Sequence, residues 1–307
     1  MNAASRTPVS TVYLIDASMY VFRAWHSMPD VFFDADGAPV NAVHGFARFL
    51  LEFVERARPT HAVTAFDISL TSSFRNAIYP AYKANREPAP PELKRQFDCC
   101  RELAAALGFA VLADAAYEAD DLIGSVQAAM REHAFRSVIV SADKDFGQLL
   151  GGADEQWDYA RGQRWNADGV RERLGVEARQ VVDFLALTGD ATDNIPGVPG
   201  IGGKSAAALL AHFGDLESLL ARVDEVPFLR LRGAASLAER LRTHAEQARL
   251  SQRLARIALD APVPRVPDAL LRRAPDPAAL DALFERLRIG PLTRTRAHQI
   301  LQTETAA

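Results

Sequence analysis

The chain has 307 residues, of which 49% are hydrophobic and 24% are charged, and its formal net charge is −4. This is the composition of an ordinary globular protein; no apolar run is long enough to span a membrane, and the start of the chain lacks a signal peptide, so we expect a cytoplasmic protein. The two cysteines are adjacent and the seven histidines form no metal-binding pair, which argues against a disulfide framework and against a zinc site.

The first half of the chain alternates between two kinds of segment. Short apolar runs predict strands, and the longer amphipathic segments between them predict helices. This alternation is typical of an α/β fold with a mainly parallel sheet covered on both faces. The strands are predicted at Thr11–Ile15, His61–Phe66, Phe109–Leu112 and Ser137–Ser141, and the helices at Ala42–Ala57, Glu92–Leu107 and Glu118–His133.

Acidic residues follow the ends of all four predicted strands. Because ligands bind beyond the carboxyl ends of parallel strands, these acids are expected at one edge of the sheet. Each of them alone could be a helix cap or a partner of a helix dipole. Together they repel one another unless a cation compensates, and oxygen ligands favour Mg²⁺ or Mn²⁺ over zinc, in numbers sufficient for two ions. With two acids of a later loop, the candidates are Asp16, Asp67, Glu118, Asp120, Asp121, Asp143, Asp145, Asp190 and Asp193.

A basic and aromatic segment lies between Asp67 and Glu92. Aromatic rings interleaved with cations are typical of a channel that binds a single nucleic-acid strand, and a solvated loop is the alternative. The chain has only four lysines among its 35 basic residues, and one of them lies here. A lysine kept in so arginine-rich a chain favours a site that needs a compact charge. The segment contains Phe74, Arg75, Tyr79, Tyr82, Lys83 and Arg86.

From about Glu177 the chain is predicted to be mostly helical. A glycine-rich turn, Gly197–Ser205, precedes the predicted helix Ser205–Phe213. It is not a P-loop, because Val198 stands where that motif needs glycine and no strand precedes it. It could bind a phosphate through its N–H groups, or it could be a plain turn between helices. Near the end we predict one helix, Pro277–Arg288, and then a polar tail whose composition favours disorder.

Five stretches of the chain occur in a recognisable order: LIDASMYVFRAWHSMP, FRNAIYPAYKANR, YEADDLIG, SADKDFGQLL and LTGDATDNIPGVPGIGGKSA. With these the chain resembles the 5′-nuclease (flap endonuclease) superfamily, and in particular the 5′→3′ exonuclease domain of bacterial DNA polymerase I. The resemblance runs from about Val12 to Ala261 and implies a PIN/resolvase-like sheet with a helical arch, then a helix–two-turn–helix DNA-binding region. The implied domains are residues 10–176, residues 177–265 and a partly helical tail, residues 266–307. No polymerase domain follows, so we expect a stand-alone nuclease.

The resemblance also implies roles for individual residues. The nine acids named above match the family's metal-binding acids. Lys83, Arg23 and Arg86 match residues that act on the scissile phosphate, and the glycine-rich turn matches a DNA-backbone grip that often holds a K⁺ ion. Two departures are Gly203, where polymerase relatives usually have glutamate, and SADKD in place of the commoner S-T-G-D-K-D. The expected DNA-binding residues are Phe22, Arg75, Tyr82, Gly200, Gly202, Lys204 and Ser205.

The sequence therefore predicts a monomeric 5′→3′ exonuclease and structure-specific flap endonuclease that hydrolyses DNA with two Mg²⁺ or Mn²⁺ ions. We expect it to act on DNA with 5′ ends or flaps in replication and repair, and not at a membrane. Two alternatives are a PIN-type ribonuclease, which has a similar sheet and similar acids, and a DNA-structure-binding module without catalysis. The intact acid set argues against the second, and the long helical half argues against the first.

Overall fold

The computed structural model describes residues 10–69 and 71–305, which divide into two units. The described residues of Met1–Ile68, Pro88–Ser141 and Leu259–Ala307 form the first unit, and those of Ser69–Glu87 and Ala142–Ala258 form the second. Within the described ranges, no helix is long and apolar enough to cross a membrane. The α-helices are α1 (Ala17–Ser27), α2 (Asn41–Ala57), α3 (Phe74–Ile78), α4 (Pro91–Ala106), α5 (Ala119–Glu132), α6 (Ala167–Leu174), α7 (Val181–Thr188), α8 (Gly203–Phe213), α9 (Leu216–Ala221), α10 (Ala234–Thr243), α11 (Ala245–Ala255), α12 (Pro277–Arg286) and α13 (Pro291–Thr305).

The first unit is built on four parallel strands. They lie in the order β3-β2-β1-β4, and Leu14 on the central strand β1 pairs with Val63 on β2 and Ile139 on β4. All three side chains are fully buried, as expected for a parallel sheet covered by helices on both faces. The chain order reverses between β1 and β4, which is where open α/β sheets bind their ligands. The strands are β1 (Thr11–Asp16), β2 (His61–Asp67), β3 (Ala110–Asp114) and β4 (Arg136–Val140).

Helices of the first unit are fixed to one another by buried polar contacts as well as apolar packing. The side chain of Gln96 on α4 is fully buried, and its Oε1 accepts hydrogen bonds from the backbone N–H groups of Ala42 (2.7 Å) and Val43 (3.2 Å). These are donors of the first turn of α2, which have no partner inside the helix. Gln96 therefore caps α2 from a neighbouring helix.

The C-terminal region corrects one expectation from the sequence. The predicted helix near Pro277 is present as α12, which packs on α4. The polar tail, for which the composition favoured disorder, forms a second helix, α13, that packs on α2. Two of its side chains, Ala297 and Ile300, are buried. These two side chains lie one turn apart on the same face of the helix. Polar contacts hold it as well, because Arg296 pairs with Glu55 on α2 and Arg294 donates to the carbonyls of Phe284 and Ile289. So short an apolar face is not evident in a polar sequence.

The second unit contains an antiparallel pair of strands, β5 (Glu155–Asp158) and β6 (Gln163–Trp165), and helices α6 to α11. The buried helix α7 contacts both α8 and α11. The side chain of Asp183 on α7 accepts from the backbone N–H of Leu216 (3.1 Å) and from Nε2 of Gln252 (2.6 Å). Both the mainly parallel sheet and the mostly helical second half that the sequence predicted are therefore present, and the fold is α/β.

Candidate active site

Asp16 lies at the carboxyl end of the central strand of the first unit. One carboxylate oxygen accepts from the backbone N–H of Met19 (3.1 Å), so Asp16 caps α1. The other accepts from the hydroxyl of Ser141 (2.8 Å), which follows β4. The side chain is 6% exposed. This places an ionisable oxygen pair at the point where the strand order reverses, as the sequence predicted for this edge.

Asp67 ends the neighbouring strand β2 and contacts the beginning of α5. Its Oδ1 accepts from the backbone N–H of Ala119 (2.9 Å), and its own N–H donates to the hydroxyl of Ser18 (2.7 Å). Glu118 and Asp121 form a capping box at the same helix start, and both are buried. The capping function considered for these acids is therefore real, and it holds them at the carboxyl edge of the sheet.

Four acids come together in the second unit. Asp145 is the most deeply affected: burial and the adjacent carboxylate of Asp143 raise its pKa to about 8, and Asp190 and Asp193 add to the rise. Burial would also raise the pKa of Asp190, but a 2.6 Å hydrogen bond from Nζ of Lys144 lowers it below its ordinary value. The second unit therefore concentrates negative charge that only part of its own cations balance.

Lys83 lies against this acidic group. Its backbone N–H donates to the carbonyl of Asp193 (3.0 Å), and its Nζ is 3.8 Å from Oδ2 of that residue. Arg86 pairs with Oδ1 of the same carboxylate, and Asn85 donates to the carbonyl of Ala191 (2.8 Å). Lys83 has a φ of +54°, a left-handed conformation that is rare for a residue with a side chain and that is often found at functional sites. The predicted catalytic residues Lys83 and Arg86 are thus held together.

Two residues that the sequence assigned to DNA binding are buried instead. Arg75 is 2% exposed and Tyr82 is 3% exposed. The guanidinium of Arg75 donates from Nε to the carbonyl of Leu254 and from Nη2 to the carbonyl of Arg256, both at 2.8 Å. The hydroxyl of Tyr82 donates to Oδ2 of Asp193 (3.4 Å). In this structure both side chains are used inside the protein, so neither presents an open surface to DNA, and their assignment to DNA binding stays a prediction.

The glycine-rich turn is closely packed on its inner side and open on its outer side. Gly200 has a φ of +76°, and a Cβ there would lie 2.1 Å from Nη1 of Arg240, which donates to the Gly200 carbonyl (3.1 Å). Gly202 and Lys204 are exposed, and Ser205 is half-buried at the start of α8. Within the described part of the chain, Lys204 forms no ion pair. A charged side chain and helix N–H groups are therefore available to a phosphate.

The remaining predicted residues, Phe22 and Arg23, lie on α1 in the first unit. The ring of Phe22 is half-buried, with its centroid 5.2 Å from that of Phe97, and Arg23 is exposed. Both stay candidates for contact with a strand and with a phosphate. A DNA base could contact Phe22 only on the open side of its ring, because the contact with Phe97 occupies the other part.

Three polar residues of the site had no role assigned from the sequence. Ser18 accepts from the backbone N–H of Asp67, Ser141 donates to the carboxylate of Asp16, and Lys144 neutralises Asp190. All three lie inside the motifs that carried the family resemblance, within two or three residues of a predicted metal ligand. That proximity is the signal by which they could have been found. Gln156, fully buried on β5, donates to the carbonyl of Asp143, and nothing in the sequence distinguishes it.

The fit of the acids to a metal ion can be tested on two observations. Oδ1 of Asp145 is buried and has no hydrogen-bond partner among the described residues, which is costly unless a ligand satisfies it. In the same part of the chain, no three His, Cys, Asp or Glu side chains already form a metal cage. Mg²⁺ needs no such cage, because it keeps several waters and binds one or two carboxylates together with substrate phosphates. The donor set therefore fits Mg²⁺ or Mn²⁺.

Comparison with known families gives two matches that follow each other along the chain. The profile of the 5′-3′ exonuclease N-terminal resolvase-like domain matches residues 11–175. The profile of the 5′-3′ exonuclease C-terminal SAM fold matches residues 176–278. Together they cover both the sheet and the helical half.

Similar full-length proteins are bacterial DNA polymerases. The chain is 39% identical over 276 residues to DNA polymerase I of Pseudomonas aeruginosa, covering 89% of this chain and 30% of the polymerase. It is 38% identical over 278 residues to DNA polymerase I of Bacillus caldotenax, covering 89% of this chain and 31% of the polymerase. The chain thus spans less than a third of the length of these relatives.

Similar solved structures are nucleases with low sequence identity. A structure of bacteriophage T5 5′-exonuclease with bound divalent metal ions (zinc) superposes with a TM-score of 0.64 at 19% identity, covering 95% of this chain and 98% of that chain. The catalytic core of Rad2 in complex with DNA substrate superposes with a TM-score of 0.63 at 14% identity, covering 95% of this chain and 91% of the other. At such identities the likeness establishes the shared fold.

Proposed function

Because this chain belongs to the 5′-3′ exonuclease family, we propose that it hydrolyses phosphodiester bonds of DNA at 5′ ends and at 5′ flaps. The observation that carries the proposal is the grouping in the second unit. There Asp145, with a buried and unsatisfied carboxylate oxygen, lies among other acids beside the ammonium of Lys83 and the guanidinium of Arg86. Carboxylates that need a cation, next to cations that suit a phosphate, are the parts that phosphoryl transfer requires.

We propose two divalent ions, Mg²⁺ or Mn²⁺, as cofactors. Bound there, such ions would lower the pKa of a bound water molecule, and their positive charge would stabilise the negative charge on the phosphoryl oxygens. The buried, unpartnered oxygen of Asp145 and the all-oxygen donor set support them. One ion would be held by Asp16, Asp67, Glu118 and Asp120. The other would be held, directly or through water, by Asp121, Asp143, Asp145, Asp190 and Asp193. A K⁺ ion at the glycine-rich turn remains a prediction from the family resemblance.

Positive side chains would stabilise the charge that develops on the phosphate. Lys83 presents a compact ammonium, which can approach an oxygen in a crowded site more closely than a planar guanidinium. Arg86, which shares Asp193 with Lys83, and the exposed Arg23 would serve the neighbouring oxygens. Lys144 holds Asp190 in place through its 2.6 Å hydrogen bond, so that the carboxylate stays ionised.

The glycine-rich turn would hold the duplex by its backbone. Gly200, Gly202, Lys204 and Ser205 present N–H groups and one exposed ammonium, and contacts of this kind position a protein on DNA without reading sequence. Phe22 would stack on a base through its open side. The Rad2 structure contains a DNA substrate, which supports DNA as the partner. A monomeric state, a cytoplasmic location and roles in replication and repair remain predictions.

The decisive experiment follows a 5′-labelled DNA flap and a matched RNA flap with Mg²⁺, with Mn²⁺ and with EDTA. We expect cleavage of the DNA flap with either ion, no cleavage in EDTA, and slow or no cleavage of the RNA. Asp143→Asn should abolish cleavage and retain DNA binding, because binding depends mainly on phosphate contacts elsewhere. Preferred cleavage of RNA would show a PIN-type ribonuclease, and an absence of cleavage with intact binding would show a binding module.

A further inference from the structure

The C-terminal end of α11 is closed by side chains from two distant segments. Helices end with carbonyl groups that have no partner inside the helix. Here the carbonyls of Leu254 and Arg256 each accept a 2.8 Å hydrogen bond from the guanidinium of Arg75 on α3. Between them, the carbonyl of Ala255 accepts from Nε2 of Gln148 (3.0 Å). A positive group at this end also suits the helix dipole.

Arg75 is suited to this contact in a way that lysine is not. The planar guanidinium offers several N–H donors in a fixed fork, and two of them reach two different carbonyls at once. The guanidinium carbon Cζ of Arg75 lies 4.6 Å from the ring centroid of Phe74 and 6.0 Å from that of Tyr82. The ring of Tyr82 in turn lies 5.1 Å from Nζ of Lys83. Arg75 thus joins α11 to the chain segment that carries Lys83.

The other end of that segment is fixed separately. Besides the contacts of Lys83 and Arg86 with Asp193, Asn194 donates to the carbonyl of Ala81 (2.6 Å). Inside the segment, Asn76 donates to the carbonyl of Tyr82 (3.1 Å). The left-handed backbone of Lys83 is therefore held between two anchors, one on the loop of Asp193 and one on α11.

The same helix also holds the glycine-rich turn. The hydroxyl of Ser251 accepts from the backbone N–H of Gly197 (3.0 Å), and Nε2 of Gln247 donates to the Gly197 carbonyl (2.7 Å). Gly197 has a φ of +61°, and a Cβ there would lie 2.2 Å from the backbone N of Gly189, so the turn also packs closely against the end of α7. From Gln247 to Leu254 the helix rises by about 10 Å. α11 therefore connects the glycine-rich turn, near the start of the helix, to Arg75 at its C-terminal end.

We propose that Arg75 is a positioning residue that sets the Lys83 segment at a fixed distance from the glycine-rich turn through α11. The proposal rests on the proposed function, in which the turn holds duplex backbone and Lys83 serves the scissile phosphate. A nuclease of this kind must hold the duplex and the reacting phosphate in a fixed relation, and a shift of about 1 Å is enough to cost a large factor in rate.

The test uses Arg75→Lys, which keeps the charge and most of the length but loses the fork. At saturating enzyme, the single-turnover rate on a DNA flap should fall on the order of tenfold or more, while duplex affinity stays near that of the wild type. Arg173→Lys is the matched control, since Arg173 is also stacked on a ring (Trp165, 3.7 Å) and hydrogen-bonded to Gln163 (3.0 Å) but lies on α6. It should leave the rate unchanged.

A double-mutant cycle with Lys83→Ala separates positioning from general loss of structure. If Arg75 acts through Lys83, Arg75→Lys should change the rate by no more than about twofold once Lys83 is already alanine. An equal loss in both backgrounds overturns the proposal. So does a wild-type rate for Arg75→Lys alone.

Hydrogen exchange gives a readout that does not depend on cleavage. Amides of residues 74–86 and the last turn of α11 should exchange faster in Arg75→Lys than in the wild type and in Arg173→Lys. Unchanged exchange in both regions overturns the proposal. Faster exchange in Arg75→Lys, when the wild type itself cleaves no flap, would support the positioning role of Arg75 and contradict the proposed function. The two failures are therefore distinguishable.

Discussion

At the scale of single residues, the carboxylate of Asp145 lies in a grouping of acids whose burial and charge reduce the stability of the fold. Its buried Oδ1 has no hydrogen-bond partner in the described residues, and Asp143 lies two residues away with its own negative charge. A buried carboxylate among like charges is destabilising in the absence of a cation. Charge repulsion at such a site is removed when a divalent ion binds, so the site is poised for one.

We therefore predict that Asp145→Asn abolishes cleavage but stabilises the metal-free protein. At pH 7.5, just below the raised pKa of its carboxyl group, Asp145 must take up a proton on folding or keep a buried charge among like charges, and asparagine avoids both costs. The free energy of unfolding in EDTA at pH 7.5 should therefore rise by about 1 kcal/mol, which raises Tm by roughly 2–4 °C. Added Mg²⁺ should raise the Tm of the wild type more than that of the variant, because binding to the native state stabilises it. A lower Tm for the variant in EDTA would contradict this account.

The residue scale is also where prediction from sequence had mixed success. The acids predicted at strand ends and helix starts lie there, and Asp190 and Asp193 lie in the predicted loop, because the order of the elements fixes these positions. Arg75 and Tyr82 were assigned to DNA because a cation beside an aromatic ring favours it. The partners that bury Arg75 are carbonyls 179 and 181 residues away. No local pattern can show a contact at that separation.

At the scale of elements, the four parallel strands were predicted within one or two residues. β1, β2 and β4 are mostly buried, and strands buried on both faces are continuous apolar runs. The hairpin of β5 and β6 was missed. Its strands have only four and three residues and contain Glu155, Asp158 and Arg164. The ring of Trp157 is covered by the guanidinium of Arg164 at 3.7 Å. Cation–π packing of this kind buries an apolar group under a charged one, which reverses the usual pattern of hydrophobicity.

Helix α2 carries a group whose charge should affect stability in mildly acidic solution. His44 is half-buried and stacks on Phe32, with ring centroids 4.3 Å apart. Burial lowers its pKa below the ordinary value, although a hydrogen bond to the backbone of Leu287, at the end of α12, acts in the opposite direction. The folded state therefore binds this proton less readily than the unfolded chain does. As pH falls through the ordinary histidine range, proton binding favours the unfolded chain.

We predict that His44→Gln reduces the loss of stability between pH 7.5 and pH 5. Glutamine can still donate to the Leu287 carbonyl but does not take up a proton, so this contribution to the pH dependence should disappear. The measurement is Tm at both pH values for the wild type, for His44→Gln and for His26→Gln, which alters an exposed histidine of α1. The variant at His44 should lose less Tm than the other two proteins. An equal loss of Tm in all three proteins would show that the pKa of His44 is the same in the folded and the unfolded state.

At the scale of the whole molecule, the proposed function requires a protein with a net charge of −4 to attract a polyanion. The way in which the basic side chains are paired with acids explains how this is possible. Many arginines of the helical half are neutralised locally; Arg222 pairs with Glu225, Arg249 with Glu217 and Arg242 with Asp224. Lys204 is exposed and forms no ion pair within the described chain. Net charge therefore underestimates the attraction that one unpaired cation beside exposed N–H groups exerts on a nearby phosphate.

This leads to a prediction for the salt dependence of DNA binding. A protein that neutralises a phosphate releases a counterion, so the logarithm of the binding constant falls with the logarithm of the salt concentration by about 0.9 for each contact. If Lys204 makes one such contact at the glycine-rich turn, Lys204→Ala should weaken duplex binding and reduce this slope by roughly one. The loss should be the same for duplexes of different sequence, because phosphate contacts carry no sequence information.

Arg242→Ala is the matched control, since that exposed side chain is already paired with Asp224 and Glu239 and should leave the slope unchanged. Affinities are measured by fluorescence anisotropy on two unrelated duplexes between about 50 and 200 mM salt. An unchanged slope for Lys204→Ala, or a loss confined to one sequence, would mean that the turn joins two helices without gripping the DNA backbone.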